Sequence, residues 1–356
     1  MTSNYDHIVI GAGVIGTATA YWLARSGAKN VLVLEQFGLG HGKGASEDHL
    51  TATDIRRQWP QWQIEDDVLG MFQQDGGILD VRTACAAQIA AARTRGVEFS
   101  PLTTVLDMSS SANRVTMTTD RGVFTAGNAV VCVASWIEKL APSLELRWNM
   151  SLTQEHVSYF ATPHLRDFTP DRFPMWIWHG DDNVFYGFPI YGEAAVKIAR
   201  DMSGHFITSD ERSYEPRADE TATYRAFLGK RLPRAVDPEL LSKTCVYDMP
   251  PDCDFILDRV PGHPRITIGV GAGHAAKFGN LIGHILSDLT LHDKTPFPIE
   301  AFRADRPTLT DPSFVPQFRM MSSPVPAPSQ PQQRVCHAGR KPPNRPDDRV
   351  NPSWSL

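Results

Sequence analysis

Three glycines near the N-terminus are the first residues whose type and spacing indicate chemistry. Gly11, Gly13 and Gly16 form a Gly-x-Gly-x-x-Gly pattern, and an acid, Glu35, ends the apolar run that follows. In such a unit the first glycine permits a sharp turn, the second lets backbone amides approach a diphosphate, and the third lets a helix pack against a sheet. The acid accepts a hydrogen bond from a ribose hydroxyl. The pattern therefore predicts a dinucleotide site.

The elements that must position these glycines are predicted on both sides of them. Apolar runs at 7–10 and 31–34 predict two strands, and Val14–Arg25 predicts the helix between them. A helix N-terminus directly after the glycines favours the negative charge of a diphosphate. An ordinary βαβ unit with a glycine turn is the alternative, and the motif alone does not separate NAD from FAD.

Composition limits the class of protein. The chain has 356 residues, 42% of them apolar, and a formal net charge of −5, which favours neither nucleic acid nor an anionic membrane as a partner. No leader is expected before Tyr5 and no apolar run approaches the roughly 20 residues of a membrane span, so we expect a cytoplasmic protein. An odd number of cysteines without a Cys-x-x-Cys pair argues against disulfides and against a metal site. The cysteines are Cys85, Cys132, Cys245, Cys253 and Cys336.

Further elements are predicted along the first third of the chain. Alanine-rich residues 81–95 predict a helix, followed by a short strand at 97–99. Alternating apolar residues at 115–119 and 123–126 predict a hairpin. The apolar run 129–134 predicts a separate buried parallel strand.

The middle of the chain has a different composition. Residues 142 to about 240 contain short strand-like runs, which predict a second, mostly antiparallel domain with an aromatic pocket. The aromatic residues in these runs are Trp176, Trp178, Phe185, Tyr186, Phe188 and Tyr191. A strand at 266–270, a glycine turn and a helix with apolar residues between 281 and 289 then predict that the first domain resumes.

Two segments give weaker signals. Residues 51–63 are polar and tryptophan-bearing and have no clear period. Residues 321–356 contain eight prolines and almost no large apolar side chains. Ordering such a tail costs about 1–2 kcal/mol per residue with nothing to bury, so we expect disorder there.

The stretch from Cys245 to Lys277 carries the most specific pattern in the sequence. It contains Cys-x-Tyr-x-x-x-x-Asp-x-x-Phe-x-x-Asp and, after a buried strand, Gly-His-x-x-Lys-Phe. In these motifs the chain resembles the D-amino-acid-oxidase-type FAD-dependent oxidoreductases, in the branch of monomeric sarcosine oxidase and N-methyltryptophan oxidase. The resemblance covers residues 5 to about 50 and about 75 to 315.

The resemblance implies a role for each residue of the reactive end. Cys245 would form a thioether with the flavin, and Lys277 would hold the substrate carboxylate. Tyr186 would lie near the substrate, and Lys197 would promote the reaction of reduced flavin with oxygen. His274, inside the signature, would help to close the site.

The resemblance also implies a set of cofactor-binding residues and two departures from the family. The cofactor-binding residues are Gly11, Gly13, Gly16, Glu35, Ser46, Ala134, Trp136, Cys245, Gly271 and Gly273. Relatives carry an arginine-bearing block after the position of Leu50 that this chain lacks, and Arg56 and Arg57 do not match its arginines. Asp201 stands where relatives have a histidine near the oxygen-activating lysine.

We therefore expect a two-domain α/β (α+β) protein: a Rossmann-like FAD-binding domain with an inserted, mostly antiparallel β substrate domain. The expected boundaries are 1–50 for the FAD-binding βαβ unit, 51–75 for a truncated connection, 76–140 for the FAD-binding domain continued, 141–240 for the substrate domain, 241–315 for the FAD-binding domain resumed, and 316–356 for the proline-rich tail.

The expected function is oxidation of a secondary N-methyl amino acid, such as sarcosine or N-methyltryptophan, with O2 reduced to H2O2. FAD would be the cofactor, attached through Cys245, and the enzyme would be a monomer with no nucleic-acid or membrane partner. Two alternatives remain. One is a truncated FAD-binding remnant with impaired catalysis, and the other is an NAD-dependent dehydrogenase that uses the N-terminal motif.

Overall fold

The structure is a computed structural model that describes residues 3–11, 14–35, 49–72, 76–180 and 183–317. In chain order, the strands of these residues are β1 (Ser3–Ile10), β2 (Val31–Glu35), β3 (His49–Thr51), β4 (Leu69–Met71), β5 (Glu98–Pro101), β6 (Val105–Ser110), β7 (Val115–Thr119), β8 (Gly122–Val131), β9 (Ser151–Phe160), β10 (Trp176–His179), β11 (Val184–Phe188), β12 (Val196–Arg200), β13 (His205–Ile207), β14 (Glu239–Met249), β15 (Ile256–Val260) and β16 (His263–Val270).

The same residues form six α-helices and several short 3-10 turns. The helices are α1 (Val14–Arg25), α2 (Ala52–Gln58), α3 (Val81–Arg93), α4 (Ile137–Leu140), α5 (Ala218–Arg231) and α6 (Gly279–His292). Within this described part of the chain, no helix is long and apolar enough to cross a membrane.

The first sheet is largely parallel and contains the N-terminal βαβ unit. Its order is β15-β16-β8-β1-β2-β5, and the pairs from β16 to β5 are all parallel. The antiparallel pair β6-β7 is attached along the first half of β8. The predicted Rossmann-like arrangement is therefore present, and the resumed segment contributes β15 and β16 to it.

Residues on β1 and β2 alternate between two buried layers, as parallel strands covered on both faces require. Ile8 and Leu32 point to a core shared with β7 and α4, whereas Val9 and Val33 point to a core shared with α6. Helix α6 lies against α1 so closely that a Cβ on Gly283 would meet the backbone of Ala18 at 2.4 Å.

One prediction for the first sheet needs correction. The returning strand of the hairpin and the buried parallel strand were expected to be separate, but they form one continuous strand, β8. Its first half pairs with β7, and its second half pairs with β16. A single strand can serve two partners because each half offers the same edge to a different neighbour.

The second sheet is antiparallel and contains β14. Its order is β10-β11-β12-β9-β13, and β14 pairs with β9 along ten residues from Ser151 to Phe160. Consequently Cys245 lies in the second sheet, although the chain returns to the first sheet at β15 directly afterwards.

Residues 51–63 contain the helix α2, which the apolar pattern of the sequence does not predict because it has no helical period. Thr51 caps α2 by accepting a hydrogen bond from the Asp54 amide, and the Asp54 carboxylate accepts one from the Thr51 amide in return. This is a capping box, and the Thr-x-x-Asp spacing could have predicted it. After α2, Trp62 is buried against Trp176 with ring centroids 5.3 Å apart, so this segment covers the second sheet.

Candidate active site

The predicted dinucleotide site lies at the carboxyl edge of the parallel sheet. Strands β1, β2, β8 and β16 are parallel and therefore all end at this edge. The segments that follow them include Gly11, Ala134 and the turn at Gly271 to Gly273. In open α/β sheets, ligands bind in the crevice outside this edge.

The glycine turn is as tight as the sequence predicts. Gly11 has φ +94°, and a Cβ there would come within 2.1 Å of the Cys132 carbonyl oxygen. A Cβ on Gly16 would come within 1.8 Å of the Gly11 carbonyl oxygen. No side chain fits at either position, which keeps the start of α1 close to the strand ends, as a diphosphate at a helix N-terminus requires.

The turn after β8 has a backbone that favours glycine. Ala134 has φ +46°, in the left-handed region, at the position where the resemblance places a glycine. Trp136 follows in the same turn, and the Arg212 guanidinium lies 4.9 Å from its ring centroid. The Nε atom of Arg212 is buried and has no hydrogen-bond partner among the described residues.

Three of the predicted cofactor residues cannot be placed in this site. Gly13 and Ser46 lie outside the described residues, and so does the side chain of Glu35, whose backbone ends β2. The predicted disorder of 321–356 also falls outside the described range. These predictions stay predictions.

One face of the second sheet gathers the predicted reactive residues. Cys245 pairs directly with Glu155, Lys197 pairs with Tyr159, and Lys197 also pairs with Phe188. Because side chains alternate along strands and paired residues share a face, these residues and Tyr186 point to the same side. We call this the site face.

The opposite face of the second sheet forms a buried core. Its members include Phe160, Trp176, Phe185 and Ile198, which pack with Tyr224 of α5. The predicted aromatic pocket is therefore corrected in part, because the tryptophans and Phe185 belong to this core. We call it the core face.

Aromatic rings remain on the site face around Lys197. Its Nζ lies 4.3 Å from the centroid of Phe188 and 5.6 Å from that of Tyr186. Burial raises the pKa of Tyr186 well above its usual value of 10, and the negative charge of the Asp201 carboxylate adds to the effect. The phenol therefore stays protonated and can donate a hydrogen bond.

The turn after β16, residues 271–274, docks against the end of β14, and we call it the signature turn. Asp248 is buried and accepts hydrogen bonds from the backbone N–H groups of Gly273 at 2.8 Å and Gly271 at 3.4 Å. Gly273, with φ +70°, lies so close to Tyr247 that a Cβ would meet its ring at 2.4 Å. The parallel sheet and the site face are thereby joined at this turn.

His274 and Lys277 leave this turn toward the site face. His274 stacks obliquely on Phe255, with centroids 5.1 Å apart, and partial burial lowers its pKa. Lys277 is exposed on the 3-10 turn that follows. Burial raises the pKa of the Asp201 carboxyl, and both groups are close enough to Asp201 to oppose that rise.

Cys245 is protonated in this environment. Burial, together with a smaller contribution from the Glu155 carboxylate, raises the pKa of its thiol to about 12, while Lys197 and Arg212 act in the opposite direction. Only the thiolate is a nucleophile. Among the described residues, these two cations favour its reactive form.

Sequence reasoning missed Glu155. It is 2% exposed, yet its carboxylate accepts hydrogen bonds from the Thr153 hydroxyl and from the backbone N–H groups of Ser203 and Gly204. Burial raises the pKa of Glu155. A glutamate among strand residues gives little local signal of its partners, because two of the three come from the loop after β12.

Two acids of the Cys245 pattern have structural roles. Asp252 forms a buried ion pair with Arg306, with N–O distances of 2.7 and 2.8 Å. Asp258 accepts a hydrogen bond from the Ala304 amide at 3.0 Å. They hold the final described segment against β15 and do not reach the site face.

Arginines of the 51–63 segment do not contribute to the site. Arg56 pairs with Asp66, and Arg57 pairs with Asp54. This agrees with the expectation that they do not replace the arginines of the missing block.

Comparison with known proteins decides the family. Residues 6–49 and 40–289 match the model of the FAD dependent oxidoreductase family, DAO. The chain belongs to this family. Its membership favours FAD over NAD as the dinucleotide of the N-terminal motif.

Individual relatives are similar over most of the chain. Monomeric sarcosine oxidase from Bacillus sp. (strain B-0618) is 24% identical, over 87% of this chain and 98% of the relative. N-methyl-L-tryptophan oxidase from Salmonella newport (strain SL254) is 28% identical, over 86% of this chain and 79% of the relative. The open form of NikD, an amino acid oxidase essential for nikkomycin biosynthesis, has the same fold, with a TM-score of 0.74 and 22% identity over 85% of this chain and 97% of NikD.

The same comparisons bear on the missing block. The family match is divided into two pieces that meet between residues 40 and 49. The alignment with the Bacillus enzyme extends over 384 positions, which is longer than this chain of 356 residues. The relative therefore contains residues that this chain lacks, and the division lies next to the expected position.

Proposed function

We propose that this protein is an FAD-dependent oxidase of a secondary N-methyl amino acid, acting on the CH–NH group of the donor and reducing O2 to H2O2. The observation that carries the proposal is the site face, where Cys245, Lys197 and Tyr186 lie together. Similarity to sarcosine oxidase and N-methyltryptophan oxidase supports the choice of substrate class. We expect the enzyme to act as a monomer.

The residues present fit an elongated cofactor that reaches from the first sheet to the second. The tight turn at Gly11 and Gly16 would take the adenosine diphosphate part, and the turns at Ala134 and Gly273 would border the part that reaches the site face. FAD would accept a hydride equivalent from the substrate and pass the electrons to oxygen. We infer that the domain division follows the two sheets, which moves the boundary expected at residue 240 to the end of β14.

The side chains of the site face suit these tasks. Lys277 is exposed at the signature turn and would pair with the substrate carboxylate, a contact of the charge-assisted kind. The Lys197 ammonium would stabilise negative charge as oxygen takes its first electron. The Tyr186 hydroxyl would orient the substrate, and His274 would border its entrance.

Flavin and peroxide measurements test the proposal. The purified protein should have the visible spectrum of a flavin, and anaerobic addition of sarcosine or N-methyltryptophan should bleach it. In air, the same amines should release hydrogen peroxide. A nicotinamide-dependent absorbance change without flavin would replace the proposal with the dehydrogenase alternative.

Covalent attachment through Cys245 has its own test. After acid precipitation of the protein, flavin should remain in the pellet of the wild type and appear in the supernatant of Cys245→Ser. Cys253→Ser is the control, because Cys253 is a half-buried cysteine outside β14. Free flavin from an active wild-type enzyme would contradict the linkage.

A truncated remnant with impaired catalysis is the second candidate. It is supported by Leu69 and Met71 on β4, which are 81% and 62% exposed, as neighbours of a missing block would be. Against it, α2 and Trp62 cover the core face. Bound flavin without turnover of any N-methyl amino acid would favour the remnant.

A further inference from the structure

Asp201 directly follows β12 and continues its alternation. Lys197 and Asp201 are four residues apart in a strand, so both lie on the site face. The Asp201 backbone N–H donates to the Val184 carbonyl oxygen at 2.8 Å, which fixes its position beside β11. The residue is exposed, so a small molecule can reach it.

The Asp201 carboxylate makes few hydrogen bonds and ion pairs with the described residues. Among the described residues it accepts one long hydrogen bond, from the Tyr247 hydroxyl at 3.4 Å, and it has no ion pair within 4 Å. Desolvation raises its pKa, although His274 and Lys277 oppose this effect. A perturbed carboxyl group with spare acceptor capacity is typical of a functional site.

Glu155 on the same face provides the contrast. Its carboxylate is buried and accepts three hydrogen bonds, from Thr153, Ser203 and Gly204. Those bonds brace the loop after β12. The Glu155 carboxylate is therefore already hydrogen-bonded within the protein, whereas the Asp201 carboxylate can accept a hydrogen bond from a ligand.

We propose that Asp201 binds the ammonium group of the amino-acid substrate and removes its proton before oxidation. The inference rests on the proposed function and deepens it. With Lys277 holding the carboxylate at the adjacent turn, the site would present one cation and one anion to a zwitterion. The substrate class would be amino acids whose nitrogen is protonated in solution.

The proposed step transfers only a proton. One N–H bond of the ammonium breaks, an O–H bond forms on Asp201, and the electron pair stays on nitrogen. The neutral amine is the form that can lose a hydride equivalent, because the lone pair stabilises the resulting iminium. No oxidant is consumed in the proton transfer.

Several other ionisable groups face or influence this carboxyl group. They are His179 of β10, Tyr186 of β11, Lys197 of β12, Glu155 of β9, Cys245 and Tyr247 of β14, Cys253, and His274 and Lys277 of the signature turn.

A pH profile tests the proton transfer. In Asp201→Asn holoenzyme, kcat/KM for the N-methyl amino acid should fall roughly tenfold to a hundredfold at pH 7, the range for loss of one charge-assisted contact. The loss should shrink as pH approaches the pKa of the substrate ammonium, since the neutral amine then needs no base. Asp66→Asn, which alters a carboxylate paired with Arg56 on the surface, should leave the profile unchanged.

Ligand binding tests the charge preference without turnover. Glycine betaine and 3,3-dimethylbutanoate have the same shape and carboxylate, but only betaine has a cationic nitrogen, and neither offers an N–H or lone pair. The wild-type holoenzyme should bind betaine more tightly by flavin spectral titration, and Asp201→Asn should lose that preference.

These measurements separate the two proposals. Any of three results would overturn the role of Asp201. The wild type could bind the two ligands with equal affinity, it could bind neither, or kcat/KM of Asp201→Asn could stay within twofold of wild type at every pH. Failure of the wild type to oxidise any amine would overturn the proposed function, while the betaine comparison would still report on Asp201.

Discussion

The two faces of the second sheet are built from alternate residues of the same strands, and yet they differ in chemistry. On the core face, Phe160 and Ile198 are fully buried and pack with α5. On the site face, Lys197 lies beside Tyr186, with its Nζ 5.6 Å from the ring centroid. One face stabilises the fold, and the other holds ionisable groups that pay a desolvation cost.

Neighbouring residues 155 and 156 show the difference most directly. Glu155 points to the site face and is held by a hydroxyl and two backbone amides. His156 points to the core face, where its Nδ1 accepts from the Arg217 amide at 3.3 Å and its Nε2 lies 3.2 Å from the Ser158 hydroxyl. Both are buried polar groups, and each one is satisfied by elements of its own side.

The largest effect on stability is expected on the core face. Phe160→Ala should lower the free energy of unfolding by about 3–5 kcal/mol, because a fully buried aromatic ring leaves a cavity. Ile177→Ala, on the site face of edge strand β10 and 63% exposed, should change it by less than about 0.5 kcal/mol. Urea unfolding measures both. Similar losses in the two variants would remove the distinction between the faces.

The largest effect on activity is expected at Lys197. Lys197→Met should slow the reaction of the reduced enzyme with oxygen by about 10²–10³-fold, the usual size of one preorganised electrostatic contact. Stopped-flow reoxidation measures this rate. Lys243→Met is the matched control, since Lys243 lies on the same face of β14 and is paired with Glu193. Equal rates in both variants would argue against a role for the ammonium of Lys197.

A smaller loss of stability is expected where the two sheets meet. Asp248→Ala leaves two backbone N–H groups of the signature turn without their acceptor, at a cost of about 1–3 kcal/mol. Asp120→Ala removes an exposed acceptor of the Thr104 amide and should cost less, because water can replace it. Thermal unfolding of both holoproteins checks the order.

The smallest expected effects are opposite pH dependences on the two faces. Burial raises the pKa of Glu155 above 4.5, so its contribution to stability is complete below pH 4.5 and is lost as pH rises through the raised pKa. Burial lowers the pKa of His156 below 6.5, so its contribution is complete above pH 6.5 and is lost as pH falls through the lowered pKa.

Thermal unfolding midpoints from pH 4 to 8 measure these slopes. Glu155→Gln should remove a downward slope above pH 4.5, and His156→Gln should remove an upward slope below pH 6.5. Slopes that stay as in the wild type would show that neither group changes its protonation on unfolding.

Local patterns predicted much of the first sheet. The bounds of α1 match the prediction of Val14–Arg25, and the tight turn at Gly11 and Gly16 is present. Strand β16 and helix α6 were also expected from apolar periodicity. Each of these features depends on residues that are close in sequence, so one short segment of the chain is enough to predict it.

Other parts depended on contacts that no local pattern encodes. The aromatic runs of β10 and β11 predicted a pocket, but Trp176 and Phe185 entered the core because α5 covers that face. The capping box of α2 was a local signal that was overlooked. Glu155 was not predicted because two of its three hydrogen-bond partners come from a loop some fifty residues away.

The sequence by itself determined the dinucleotide motif, the side chains proposed to be reactive and the family to which the chain belongs, because each depends on residue types at fixed spacing. Only the tertiary structure decided which side chains share a face. The pairing of β14 with β9 sets Cys245 opposite Glu155, and a shift of one residue would turn Cys245 toward the core. Strand register therefore decides which candidate side chains share the site face. The register is fixed by the packing of α5 on one face and by the docking of the signature turn at the end of β14.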